Sequence, residues 1–218
     1  MTLRDLWQVH ILHRAFRRDR ENRRKFGPHA PRFAELLWVD PRKIDYCLAR
    51  LPAGVTPRTA SAHVVDFETA GITYTPFSET VQFRSCYQHW LCGVPWEDTD
   101  DFINSMRKVT ALRLGVSRMT KSMVRERYLA LDRLYAEVKQ TRLFKTQKQL
   151  KPWNFREFGG IQVSIDAFGR LTLVRASGMH RLSIAKILEL ELIPAQIGLV
   201  DVRAVGYVKG FRNPPKAY

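Results

Sequence analysis

The chain has 218 residues, with 36 Lys and Arg against 21 Asp and Glu, and its formal net charge is +15 at pH 7. Apolar residues make up 45% of it, which is enough for a buried core and excludes a wholly disordered chain. The cysteines are Cys47, Cys86 and Cys92; because none of them forms a CxxC pair, the sequence excludes a disulfide scaffold and lacks a zinc-ligand pattern.

The first 26 residues predict one basic amphipathic helix, because Leu6, Ile11 and Phe16 fall at helical spacing. Its second half contains the cations Arg14, Arg17, Arg18, Arg20, Arg23, Arg24 and Lys25. Such a helix either packs its apolar face on its own protein or lies on an anionic membrane surface, and the sequence leaves both interpretations open. The stretch from Gly27 to Pro31 is typical of a linker.

Residues 32–119 predict an accessory region of helices and loops. We expect a short strand at Ala62–Phe67, a helix from Ser78, and a second helix that begins at Asp98 or Thr99. The region carries several large apolar side chains that need a partner surface, so we expect it to wrap around the C-terminal part of the chain.

Residues 120–205 predict one domain of mixed helices and strands. Its elements are a helix at Lys121–Gln140, strands at Ile161–Ile165 and Leu171–Val174, a glycine loop, a helix that carries Leu182 and Ile184, and a buried strand at Ile193–Val200. The expected fold class is α+β, a small mixed sheet with flanking helices, preceded by a mainly helical N-terminal region. Residues 206–218 are expected to form a tail.

The run Ser177-Gly178-Met179-His180-Arg181 stands where a predicted strand ends and a helix begins. A helix N-terminus offers unpaired N–H groups, and Gly178 lets the backbone come close to a ligand. Arg181 can bind two phosphate oxygens, and His180 can donate or relay a proton. The pattern predicts a phosphate site, with an ordinary helix cap formed by Ser177 as the alternative.

The run Leu131–Val200 resembles the ParB/sulfiredoxin-like superfamily in the order and spacing of its segments. The resemblance rests on the helix Leu131–Lys139, the turn Phe144–Gln147, the strand Ile161–Ile165, the hairpin at Gly169, the signature Gly178-Met179-His180-Arg181-Leu182-Ser183-Ile184-Ala185-Lys186, and the closing segment Ile193–Ile197. Upstream, Trp96–Thr99 looks like an accessory segment of ParB-like proteins.

The resemblance implies a nucleotide-binding role for the Gly178 loop. Members with Gly-x-His-Arg, among them sulfiredoxin and the free serine kinases, hold nucleotide phosphates there, which implies this role for Ser177, Gly178, Met179, His180 and Arg181. Met179 stands where sulfiredoxin has its catalytic Cys, and because a thioether cannot attack as a thiolate, sulfinic acid reduction is not expected. Partitioning ParB proteins carry Gly-x-Arg-Arg and a following helix-turn-helix domain, neither of which we expect here.

The activity that the resemblance implies is a metal-dependent phosphotransferase or nucleotide hydrolase that uses ATP or CTP with Mg²⁺. This chemistry needs a carboxylate, and Glu157 and Asp166 are the candidates, with His180 as the third catalytic residue. Lys145 is a candidate phosphate contact. The alternative interpretations are a turn cap for Asp166 and a solvated surface lysine for Lys145.

A second hypothesis is a ParB-like DNA-binding protein or nuclease that acts through its basic surface. The expected partners are therefore a nucleotide and either a small-molecule acceptor or nucleic acid. The sequence contains no run of about 18 apolar residues, so it predicts no membrane span, and the N-terminus lacks a signal-peptide pattern. We expect cytoplasmic localisation, with peripheral membrane attachment through residues 2–26 left open.

Overall fold

The computed structural model of the protein describes residues 3–111 and 120–214. Within these ranges the chain is mixed α+β, as expected, with six α-helices packed on a seven-stranded sheet. The helices are α1 Leu3–Phe26, α2 Val81–Cys92, α3 Asp100–Ala111, α4 Lys121–Thr141, α5 Gln147–Leu150 and α6 Met179–Ile187. The strands are β1 Leu36–Val39, β2 Tyr46–Arg50, β3 His63–Val65, β4 Thr73–Pro76, β5 Ile161–Ile165, β6 Leu171–Val174 and β7 Ile193–Asp201.

The sheet has the strand order β1-β7-β5-β6-β2-β4, and β3 also pairs with β7. β5 and β6 form an antiparallel hairpin, whereas β5 and β7 are parallel. All nine residues of β7 are buried, and this strand is hydrogen-bonded at both edges, to β1 and to β5. The centre of the sheet is thus built from the C-terminal part of the chain.

The expectation of a mainly helical N-terminal region is wrong for residues 36–76. This stretch supplies four strands, of which β1 pairs with β7 and β2 pairs with β6 in parallel. β1 and β4 have only four residues each, too few for a period of two to be distinguished from a loop in the sequence. The accessory region and the C-terminal region therefore share one sheet.

The helices α2, α3 and α4 form a layer that packs against α6. Cys86, Trp96, Phe102, Val124 and Tyr128 form its apolar core. The apolar residues of the accessory region therefore find the partner surface that the sequence predicts they need.

The helix α1 packs one face on the protein. Ile11 and Ala15 are buried in a cluster with Phe33. The Asn22 side chain donates to the carbonyl oxygens of Pro31 and Ala62, both at 2.8 Å. Docking on its own protein, one of the two interpretations of this helix, is therefore observed for this face.

The segment after β7 differs from the predicted tail. Residues Val202–Phe211 form a 3-10 helix, and Arg212 donates from Nε to Glu35 at 2.8 Å. The end of the predicted tail, residues 215–218, lies outside the described residues. Across the described ranges, no helix combines the length and the apolar character that crossing a membrane requires.

Candidate functional site

The loop between β6 and α6 has a backbone that its sequence dictates. Ala176 and Gly178 have φ values of 64° and 89°, in the left-handed region. A Cβ on Gly178 would lie 2.7 Å from Cα of Ile161, so only glycine fits here. The carbonyl of Ser177 accepts from the backbone N–H of Gln162 at 3.2 Å, which holds the loop against β5. No side chain of the described residues caps the first turn of α6.

A cavity of about 960 Å³ opens beside this loop. Ala176, Ser177 and Gly159 line it, together with Arg14 of α1 and Arg58. Of the described residues that line the cavity, none is Asp or Glu. Its volume is that of a small-molecule site, and its charged walls favour an anion.

The ring of His180 is buried, and the protein occupies both of its nitrogens. Nε2 lies 2.8 Å from Oδ2 of Asp101, and Nδ1 lies 3.3 Å from an Arg127 guanidinium nitrogen. Because a guanidinium only donates, Nδ1 accepts and Nε2–H donates to the carboxylate. The structure therefore places His180 inside the protein network, and a direct phosphate contact would require Arg127 to move away.

Asp101 is the centre of this network. Its carboxylate accepts from Nε2 of His180, from the Tyr128 hydroxyl at 2.6 Å and from the Gln82 amide at 2.7 Å. Burial alone raises the pKa of Asp101, but the hydrogen bonds from these three side chains outweigh it and lower the pKa to about 2. Asp101 is therefore a fixed anion at neutral pH that orients His180.

Arg181 and Glu157 lie on another side of the α6 start. Arg181 donates to the Gly159 carbonyl at 2.7 Å. Both carboxylate oxygens of Glu157 accept from the backbone N–H of Gln147, at 3.0 and 2.9 Å. Burial raises the pKa of Glu157 to about 7, although the Gln147 hydrogen bond and the charge of Arg181 oppose the shift. Glu157 is thus a buried carboxyl that titrates near neutral pH.

Three other predicted site residues lie elsewhere. Met179 is buried in the main core. Asp166 follows the far end of β5, where it accepts from Nε of Arg170 at 2.7 Å and from the backbone of the hairpin turn, so it caps the turn and is not part of this site. Lys145 forms an exposed ion pair with Glu137 at 2.7 Å and does not line the cavity.

Asp101 and Arg127 were not predicted from the sequence. Asp101 is 79 residues from His180, and an acidic residue in the first turn of a helix is an ordinary start signal. Arg127 is one of several cations on α4 and has no distinguishing pattern. The available signal was Tyr128 on the apolar face of the predicted helix, because a buried tyrosine hydroxyl needs a polar partner.

A second carboxylate network joins α2 to α4. Oδ1 of Asp132 accepts from Nε1 of Trp90 and Nε1 of Trp96, both at 3.0 Å, and lies 3.1 Å from Nε2 of His89. The His89 and Trp96 rings stack with centroids 4.1 Å apart. The Asp132 carboxylate thus accepts from two tryptophan N–H groups and contacts a His89 ring nitrogen, whose other nitrogen lies 2.7 Å from the Val94 carbonyl oxygen.

Among the described residues we find no cluster of protein ligands for the expected Mg²⁺. Nowhere in the described ranges do three His, Cys, Asp or Glu side chains come together in a metal-binding geometry. Mg²⁺ prefers carboxylate oxygens, and the described cavity walls provide none. The described lining of the cavity therefore offers no carboxylate ligand to the ion.

Comparison of the chain with protein-family models, with curated proteins and with solved structures finds no significant match.

Proposed function

We propose that the chain binds a phosphate-bearing ligand of nucleotide size in the cavity beside the Gly178 loop. The observation that carries this proposal is the cavity of about 960 Å³ with Arg14 and Arg58 in its walls and no carboxylate among its described lining residues. A guanidinium binds phosphate oxygens through two parallel hydrogen bonds. Ser177, whose hydroxyl can donate, also lines the cavity, whereas Gly178 and the first residues of α6 are not among its described lining residues.

The resemblance to the ParB/sulfiredoxin-like superfamily supports the same proposal from the sequence. Its Gly-x-His-Arg signature falls at the loop that borders the cavity. In our proposal Arg181 does not contact the ligand. It donates to the carbonyl of Gly159, a residue that lines the cavity, and so holds this part of the lining in place. His180 acts as a positioning residue for the first turn of α6 through its bond to Asp101.

The reaction we propose is phosphoryl transfer to a small-molecule hydroxyl or to water, with Glu157 as the proton acceptor. Glu157 does not line this cavity itself; it lines a separate pocket of about 530 Å³ and begins the turn whose residues Phe158 and Gly159 line the cavity. In our proposal the proton therefore reaches Glu157 through a bridging water or after a movement of this turn. A carboxyl with a pKa of about 7, raised by burial, can both take up and release a proton at neutral pH. As the new O–P bond forms and the nucleoside diphosphate leaves, the proton of the acceptor hydroxyl passes to the Glu157 carboxylate.

Calorimetric titration with ATP, CTP, GTP and pyrophosphate, each with and without Mg²⁺, tests the binding step. We expect Arg14→Ala and Arg58→Ala each to weaken nucleotide binding by about 1.5–3 kcal/mol, the typical size of a charge-assisted hydrogen bond. Arg125→Ala, an exposed arginine on α4, is the matched control and should leave the affinity unchanged. If Arg14→Ala and Arg58→Ala bind nucleotide as tightly as the wild type and the Arg125→Ala control do, the proposed site is refuted.

A nucleic-acid ligand is the other outcome that the titration can reveal. Binding of a short DNA duplex that falls steeply with salt, together with no response to any nucleotide, would replace the nucleotide proposal with the DNA-binding hypothesis. If nucleotides bind, Glu157→Gln should keep the affinity and abolish turnover. Retained turnover would remove Glu157 from the mechanism and leave the binding site intact.

A further inference from the structure

The helix α1 has a second apolar face that points away from the protein. Val9, Leu12 and Phe16 are 59%, 52% and 66% exposed, although the same helix buries Ile11 and Ala15. The three exposed residues are spaced by three and four positions, so they form one stripe along the helix. Large apolar side chains that are exposed together mark an interaction surface.

Arginines continue this stripe toward the C-terminal end of α1. Arg20 and Arg23 follow Phe16 by four and seven positions and border a groove of about 620 Å³ that Phe16 also lines. Arg156 also lines the groove and pairs with Asp19 at 2.8 Å. Among the described residues, Arg20 and Arg23 form no ion pair, so their charge is not neutralised within the protein.

We propose that this stripe, Val9, Leu12, Phe16, Arg20 and Arg23, docks the protein on an anionic phospholipid surface. The apolar part would enter the boundary between headgroups and acyl chains, and the two arginines would bind headgroup phosphates. A nucleic acid would use the arginines alone, whereas a bilayer uses both halves of the stripe. The exposed apolar side chains therefore favour the membrane.

This surface is separate from the proposed nucleotide cavity. Arg14 lines the cavity, whereas Leu12, Phe16, Arg20 and Arg23 line the groove on another side of the same helix. Variants of the stripe should therefore leave nucleotide binding unchanged, which makes the failure of one proposal distinguishable from the failure of the other.

Vesicle flotation of the full chain tests the proposal, with phosphatidylcholine vesicles and with vesicles that also contain phosphatidylserine. We expect binding only to the anionic vesicles. Leu12→Gln/Phe16→Gln should lower that binding by at least about tenfold, and so should Arg20→Glu/Arg23→Glu. The matched control is Met123→Gln/Leu129→Gln on α4, whose side chains are each 53% exposed, and it should bind like the wild type.

Two results would overturn the proposal. One is absence of binding to anionic vesicles by the wild-type chain. The other is unchanged vesicle binding in Leu12→Gln/Phe16→Gln with an unchanged circular dichroism spectrum, because charge alone would then explain the attraction. Binding to duplex DNA that only Arg20→Glu/Arg23→Glu reduces, without vesicle binding, would assign the arginines to nucleic acid.

Discussion

Two buried carboxyl groups, Asp101 and Glu157, interact with the consecutive α6 residues His180 and Arg181, and their affinities for a proton differ widely. Asp101 contacts His180 and Glu157 lies beside Arg181. Burial raises the pKa of both, yet Asp101 ends at about 2 and Glu157 at about 7. Asp101 accepts hydrogen bonds from three side chains, whereas Glu157 accepts one backbone N–H. The hydrogen bonds that a buried carboxylate accepts, more than the extent of its burial, decide whether it holds a proton.

The difference in pKa suits Asp101 and Glu157 to different roles. A carboxylate that stays ionised is suited to fixing the orientation of His180 and the first turn of α6. A carboxyl that titrates near neutral pH is suited to moving a proton, and perturbed groups of this kind are concentrated at functional sites. The comparison therefore supports Glu157, rather than His180, as the proton acceptor of the proposed reaction.

Asp101→Ala should produce the largest loss of stability. It removes the acceptor of His180, Tyr128 and Gln82 together and leaves buried donors without partners. We expect the free energy of unfolding to fall by about 3–5 kcal/mol, measured by urea denaturation. The exposed neighbour Asp100 is the control, and Asp100→Ala should cost about 1 kcal/mol or less. Equal effects of the two substitutions would contradict the central role of Asp101.

The pH dependence of stability should separate the two carboxyls. The pKa of Glu157 is raised by burial from 4.5 to about 7, so the folded state binds this proton more tightly than the unfolded chain does. Its contribution is complete below the unfolded pKa and is lost as the pH rises toward 7, by about 2–3 kcal/mol. Asp101 acts in the opposite direction: its contribution is present above the unfolded pKa of 3.8 and is lost as the pH falls toward 2.

Urea titrations of the wild type and of Glu157→Gln from pH 4 to pH 8 measure this difference. We expect the stability of the wild type, relative to Glu157→Gln, to decline across that range, because the neutral amide cannot titrate. A constant difference between the two proteins would show that folding leaves the pKa of Glu157 unchanged, and it would weaken the proposed role of Glu157 in proton transfer.

Gly178→Ala tests the loop that places His180 and Arg181. The substitution puts a Cβ against the Ile161 backbone at a φ of 89°, so we expect a loss of about 2–3 kcal/mol. Gly54 also has a positive φ but has no atom within 4 Å of its Cβ position. Gly54→Ala should therefore cost about 1 kcal/mol, and the difference between the two variants isolates the steric contact.

Much of the fold could be predicted from local sequence patterns. The bounds of β5 and β6 agree with the predicted strands, and α4 ends one residue beyond its predicted end. These elements have clear periodicity over their whole length, which a single sequence reveals. β1 and β4 were missed because they are short strands stabilised by pairing with distant partners.

The site was predicted only in part, for a related reason. The strand–glycine–helix pattern located the loop of Gly178 and the start of α6. It could not reveal that His180 contacts Asp101 or that Arg14 of α1 lines the same cavity as Ser177, because these residues come from distant parts of the chain. It also suggested Asp166, whose hydrogen bonds to its own turn make it a cap.

Asp132→Ala should have the smallest effect and extends the comparison to a partly exposed carboxylate. Asp132 also accepts from aromatic donors, including Trp90 and Trp96, but its side chain is 36% exposed. Water can replace a lost acceptor there, so we expect a loss of about 1 kcal/mol in urea denaturation. A loss as large as that of Asp101→Ala would mean that donor number alone sets the cost. A smaller loss would show that the cost of removing a carboxylate depends on burial as well, even though burial does not determine its proton state.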